Sequence, residues 1–227
     1  MRAAFSIAAR CAQQLADNTV RITWSINMSE LVLATRNAGK IAEVQRLISV
    51  HAPHIKLRSV AEFNLDDVEE TGVTFEENAL LKATTIARHT GLPALADDSG
   101  IAIDALGGAP GVYSARWSGV HGDDAANIAK VLLELKDVPE NERGAQFVCV
   151  IALASPDGRS MTVRGEVAGV VRHEPVGEYG FGYDPIFQPE GFTITTAQMN
   201  PEEKDSISHR GKALREIAPK IGPFIAS

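Results

Sequence analysis

Asp97 and Asp98 are adjacent carboxylates set between apolar residues, with Ala94-Leu95-Ala96 before them and Ser99-Gly100, then the apolar run Ile101 to Leu106, after them. A short apolar run of this kind reads as a strand buried on both faces. Two acids at its end would open onto a crevice, where ligands bind in α/β folds. Asp, Ser and Gly are also ordinary turn residues, so a capped turn is the competing reading of this segment alone.

A second candidate site follows the apolar segment that starts at Leu31. Thr35, Arg36, Asn37, Ala38, Gly39 and Lys40 form a tight strand-to-helix turn, and Ile41, Val44, Leu47 and Ile48 continue as one helical face. Such a turn presents backbone N–H groups and the positive end of a helix dipole, with Lys40 as an added charge, which suits an anion such as phosphate. It is not a Walker A loop, because Ala34 stands at the first glycine and Ile41 at the magnesium-binding hydroxyl.

Four further segments carry reactive residue types. Glu69 and Glu70 lie in an irregular stretch before a helix whose start is marked by Thr74 and Glu77 at capping-box spacing. Lys82 falls two turns into that helix. Gly180-Phe181-Gly182-Tyr183-Asp184-Pro185 reads as a rigid loop with aromatic faces, the kind on which nucleobases stack. Asn200-Pro201-Glu202-Glu203-Lys204 reads as a helix N-cap followed by an acidic first turn, and Ser208-His209-Arg210 begins a basic cluster around a short helix.

The elements that must position these residues read, from Met28, as strand, helix, strand, helix, strand, strand, helix, then strands and two short helices. A helix is expected over Asp124 to Lys136, and strands over Phe147 to Ala154 and Met161 to Arg172, with Gly165 a candidate bulge. The fold class is α/β, in a single domain over residues 28–227. Residues 1–27 contain Asp17 as their only acid and are set apart as an extension. Their readings are a mis-called start at Met28, which is favoured, a disordered extension or a targeting peptide.

Seven segments occur in one order: T-x-N-x-x-K from Thr35, E-E-T-G from Glu69, F-x-E-N-A-x-x-K-A from Phe75, A-D-D-S-G from Ala96, L-G-G-A-P-G-x-Y-S-A-R from Leu106, F-G-Y-D-P-x-F from Phe181 and S-H-R-G from Ser208. In this the chain closely resembles the inosine/xanthosine triphosphate pyrophosphatases, from about Met28 nearly to the C-terminus. The resemblance implies a mixed, bent central sheet flanked by helices, with two lobes around a nucleotide-binding cleft. It implies hydrolysis of ITP, dITP and XTP to the monophosphate and pyrophosphate, which cleanses the nucleotide pool. It also implies Mg2+ as cofactor, a homodimer and a cytoplasmic location.

Residue by residue, the resemblance implies that Glu69 and Asp98 are metal-associated, with Asp98 the candidate to orient and deprotonate water as base, ligand or both. Thr35, Asn37 and Lys40 would cradle the triphosphate, with Lys82 neutralising its charge. Arg36 occupies a variable position, where it either adds a phosphate contact or points to solvent. Donors from Lys204, His209 and Arg210 would satisfy a 6-oxo purine and leave the 6-amino group of adenine unmatched. Phe181 would stack on the base, Asp184 would hold ribose or a donor edge, and Ser99 and the Gly182-Tyr183 backbone are further expected contacts. Two other readings share these residues: a related pyrophosphatase with a different base preference, and a nucleotide sensor without turnover.

Composition agrees. The 227 residues are 44% hydrophobic, enough for one sizeable core, and the formal net charge of −7 argues against a nucleic-acid backbone as partner. No apolar run is long enough to cross a bilayer. The cysteines, Cys11 and Cys149, do not make a disulfide framework, and Cys149 reads as a small core residue.

Overall fold

The computed structural model describes residues 29–227, so the readings made for residues 1–27 and for Cys11 lie outside the described residues. The elements are β1 (Ser29–Leu33), α1 (Ala38–His51), β2 (Ile55–Ser59), α2 (Phe75–Thr90), β3 (Ala94–Ile103), α3 (Asp124–Glu134), β4 (Gly144–Ala154), β5 (Ser160–Val171), β6 (Phe187–Pro189), α4 (Pro201–Ile207) and α5 (His209–Ala226). The strands form one six-stranded sheet in the order β2-β1-β3-β4-β5-β6. β1 runs parallel to β2 and β3, whereas β3-β4, β4-β5 and β5-β6 are antiparallel, so the sheet is mixed.

Local signals set most helix starts. Thr74 and Glu77 cap α2 reciprocally, as the spacing predicts, and Asn200 and Glu203 do the same for α4. One sheet face packs Leu95, Cys149 and Ile151 against Val44 and Ile48 of α1 and Leu214 and Ile217 of α5. The other packs Ala94, Ala96 and Val150 against Ala79, Ala83 and Ile86 of α2. A third cluster, around Ile101, Phe147 and Phe187 with Ile128 and Val131 of α3, builds the far end. Cys149 is buried, and its burial and the Asp97 charge push its thiol up to about 12, as fits an inert core residue.

Three expectations are corrected. The acid pair does not end a strand: β3 runs ten residues through it and stays paired with β4 from Ala94↔Ala154 to Ile103↔Ala145. The strand that ends is the neighbour. β1 pairs with β3 only at Val32↔Ala94 and Leu33↔Leu95, so Asp97 and Asp98 lie beyond its C-terminal end, along a notch in the sheet. Gly165 is not a bulge either, because the ladder continues through Cys149↔Gly165. A Cβ there would stand 2.1 Å from the His209 carbonyl, so the glycine lets α5 start directly against β5. Finally, the C-terminal helices are not both short, since α4 has 7 residues and α5 has 18.

Candidate active site in the sheet notch

The notch opens into a cleft of about 590 Å³, lined from β1 and α1 by Thr35, Asn37 and Lys40, from α2 by Lys82, from β3 by Asp98 and Ser99, and across from them by Phe181, Lys204 and Arg210. Every predicted site residue except Ala38 and Gly39 lines it. Those two are the first residues of α1, directly after its N-cap Asn37.

The turn is ordered by its own side chains. Asn37 caps α1 by accepting from Lys40 N at 3.0 Å, and the Asn37 amide donates to Thr35 Oγ1 at 3.2 Å. The first turn of α1 carries no acid that would oppose an anion. A Cβ on Gly39 would stand 2.5 Å from the Phe181 ring, so the glycine lets the aromatic loop lie on the start of α1. Arg36 does not reach solvent freely: its guanidinium bonds Asp67 and the Leu65 carbonyl and ties the turn to the 65–67 segment.

Strand geometry separates the two aspartates, because successive side chains point to opposite faces. Asp97 faces α1 and α5, where Lys40 Nζ lies 2.9 Å and Arg210 Nε 3.3 Å from Oδ2. Burial would raise its pKa, but Lys40 and Arg210 outweigh burial and hold the carboxyl far below its usual range. Asp98 faces α2, accepting from Asn78 Nδ2 at 3.1 Å and from its neighbour Ser99 N at 3.1 Å. Lys82 Nζ lies 3.6 Å from it. Burial raises the Asp98 pKa; Lys82 opposes this, the nearby Glu70 charge adds to it, and the net direction is upward. The pair is therefore one settled anion and one carboxyl held against its charge.

Around Asp98, Glu70 bonds Lys82 at 2.6 Å and Arg116 at 2.9 Å. Burial opposes the Lys82 charge, but Asp98, Glu70 and Asp97 outweigh it and raise its pKa. Asn78 also accepts from Gly72 N at 2.8 Å, which fixes the acidic segment against α2. Glu69 is exposed on the cleft wall and has no ion pair among the described residues. Magnesium needs only one or two carboxylates besides substrate phosphate and water. Asp98, pushed up by burial and Glu70, with an unengaged Glu69 on the same cleft, is a donor set that fits such an ion.

On the opposite side, the aromatic loop is pinned through Asp184, which accepts from Phe181 N at 2.8 Å, Thr196 Oγ1 at 2.8 Å and Lys204 Nζ at 2.5 Å. Asp184 is 2% exposed, so its carboxylate organises the loop rather than standing free for a ribose. The Tyr183 hydroxyl donates to the Ser114 carbonyl at 2.8 Å, which leaves its backbone and that of Gly182 at the cleft. His209 stacks on Phe147 with ring centroids 4.7 Å apart and planes 11° from parallel. Burial first, then the Arg210 and Lys204 charges, lower its pKa well below 6.5, so the imidazole is neutral. Lys204 and Arg210 lie over the Phe181 ring, at 4.8 and 5.5 Å from its centroid.

Sequence reasoning gave no role to Glu43, Asn78, Arg116, Asp124 or Phe147. Asn78 lies in the F-x-E-N-A-x-x-K-A segment and Arg116 ends L-G-G-A-P-G-x-Y-S-A-R, which is a usable signal. Asp124, whose carboxylate accepts from Gly182 N at 2.6 Å, looks like any first-turn helix acid.

Comparison with known proteins agrees with this geometry. A protein named dITP/XTP pyrophosphatase from Streptomyces avermitilis is 55% identical over 195 residues, covering 86% of this chain and 98% of its own length. Another of that name from Pseudomonas syringae is 49% identical over 199 residues, covering 87% and 99%. The solved HAM1 protein of Coxiella burnetii superposes with a TM-score of 0.79 at 45% identity, covering 86% of this chain and 100% of its own. The Ham1 protein of Staphylococcus aureus gives 0.77 at 41% identity, covering 86% and 99%. The Ham1 family model matches residues 31–220, from the third residue of β1 to within α5 and across every wall of the cleft, and with this match the chain belongs to the Ham1 family.

Proposed function

We propose that the cleft hydrolyses dITP, ITP and XTP to the nucleoside monophosphate and pyrophosphate, removing deaminated purines from the nucleotide pool. The chain is a nucleoside triphosphate pyrophosphohydrolase. The observation that carries this reading is the meeting, in one cleft, of an anion-binding helix turn, the upshifted Asp98 and the Lys204–Arg210 pair. The relatives named dITP/XTP pyrophosphatase support the same substrate class.

In this reading the amides of the Thr35–Lys40 turn and the Lys40 ammonium hold the phosphates, with Lys82 on the α2 side. Glu69 and Asp98 would hold Mg2+, which would supply charge neutralisation and electrophilic polarisation at the phosphates. Asp98 orients a water on the α-phosphorus and takes its proton. The new P–O bond forms as the bond from the α-phosphorus to the bridging oxygen breaks, and pyrophosphate leaves. Burial raises the pKa of Asp98 above the ordinary carboxylate value, the direction that makes a carboxylate a better proton acceptor. Phe181 stacks on the base while Lys204, Arg210 and the neutral His209 supply donors to a 6-oxo group. Adenine would leave those donors unmatched, which discriminates far more strongly than shape.

A homodimer and a cytoplasmic location belong to the same proposal and rest on the resemblance in sequence. No helix among the described residues is long and apolar enough to cross a membrane. The test is pyrophosphate release from dITP, XTP, dGTP and dATP, with Mg2+ and with chelator. Metal-dependent release from dITP and XTP well above dGTP and dATP is expected. Equal release from all four would remove the base-reading argument, and tight dITP binding without release would make the protein a sensor.

A further inference from the structure

Glu43 is a charged residue in the second turn of α1, yet it is 4% exposed and does not line the cleft. Its two carboxylate oxygens are divided between two cations: Oε1 lies 3.2 Å from Lys204 Nζ, and Oε2 accepts from Arg210 Nη1. Arg210 also gives Nε to Asp97, while Nη2 has no hydrogen-bond partner among the described residues, and the residue lines the cleft. Lys204 gives Asp184 one proton and has Glu43 as its other ionic partner. These contacts complete a buried ladder of alternating charge, Asp184–Lys204–Glu43–Arg210–Asp97–Lys40. Glu43 is the one carboxylate of the ladder that contacts both cations; without it Lys204 would keep only Asp184 and Arg210 only Asp97 as ionic partners among the described residues.

The same helix carries the phosphate turn. Lys40, whose amide closes the Asn37 cap, precedes Glu43 by three residues, a rise of about 4.5 Å along α1. One rigid element therefore fixes the phosphate register and, through Glu43, the place of the two base-side cations.

We propose that Glu43 is a positioning residue for base selectivity: it clamps Lys204 and Arg210 together so that their remaining donors face the 6-oxo edge of the purine. The proposal rests on the reading of those two cations as base donors. Its test is steady-state hydrolysis of dITP and dATP with Mg2+ by the full chain and by Glu43→Gln. The amide should lower kcat/KM for dITP by about tenfold or more, carried by KM, and change dATP far less, so the dITP/dATP ratio narrows. Glu43→Asp, which keeps the charge at shorter reach, should retain part of the ratio, and it carries the test if Glu43→Gln does not fold. Equal losses on both nucleotides, or an unchanged ratio in folded protein, would overturn the proposal. Arg210→Ala and Lys204→Met are measured alongside. If neither alters the ratio, the base-donor reading fails and takes the proposal with it; if they alter it and the Glu43 variants do not, only the positioning claim fails.

Discussion

Asp97 and Asp98 are neighbours in the chain, and β3 turns them to opposite faces of one sheet. On the α1/α5 side, Asp97 sits in a ladder of paired charges that holds its carboxyl far below the usual range. On the α2 side, Asp98 faces one lysine and a competing glutamate, and burial drives its carboxyl upward. The difference shows how one dipeptide serves two purposes. In the proposed function the ion-paired side holds donors in place for recognition, while the carboxyl pushed upward by burial is the one that takes a proton or a cation.

The largest expected effect comes from disabling the Asp98 face alone. Asp98→Asn should lower kcat for dITP by about 10³-fold or more, within the range of a lost general base, with a thermal midpoint close to that of the unmodified chain. Turnover at the original rate would remove Asp98 from the mechanism. Breaking the other face should act on stability and on selectivity. Arg210→Ala leaves Glu43 and Asp97 as buried anions short of a partner, so denaturant unfolding should show a loss of about 3–5 kcal/mol. The surviving folded enzyme should prefer dITP over dATP less strongly.

A smaller effect should follow where no charge is touched. Gly165→Ala places a methyl 2.1 Å from the His209 carbonyl and must shift the start of α5. A stability loss of about 1–3 kcal/mol is expected by urea unfolding, with the dITP/dATP ratio falling more than kcat for dITP. The smallest is a pH slope. His209 is neutral in the fold with a lowered pKa, so as pH drops through about 6.5 the unfolded chain binds a proton that the folded chain does not. Its contribution is present above that pH and is lost below it, at up to about 1.4 kcal/mol per unit between pH 6.5 and 5. His209→Gln should flatten that part of the stability curve, measured by unfolding at pH 7 and 5.5.

Local features were legible in the residues. The capping box at Thr74, the N-cap at Asn200 and the capped strand-to-helix turn at Asn37 each depend on side chains within a few positions. Features set by distant packing were not. β3 reads as ending at Asp97 because polar residues seldom occupy a central strand, and only the early end of β1 makes room for them. Gly165 looks like a bulge until α5 is laid against it. Glu43 passes for a solvated helix residue beside the stripe of Ile41, Val44, Leu47 and Ile48, because its partner Arg210 is 167 positions away. The resemblance located both halves of the site without saying that they face opposite layers.

The proposal puts recognition and chemistry on different faces of β3, and equilibrium binding to Asp98→Asn tests this most directly. With Mg2+ present and turnover suppressed, the affinities of this variant for dITP and dATP are measured by calorimetry. The account predicts that dITP binds about tenfold or more tightly than dATP, because the Asp97 face is intact. Equal affinities for the two nucleotides would contradict the separation of the two faces.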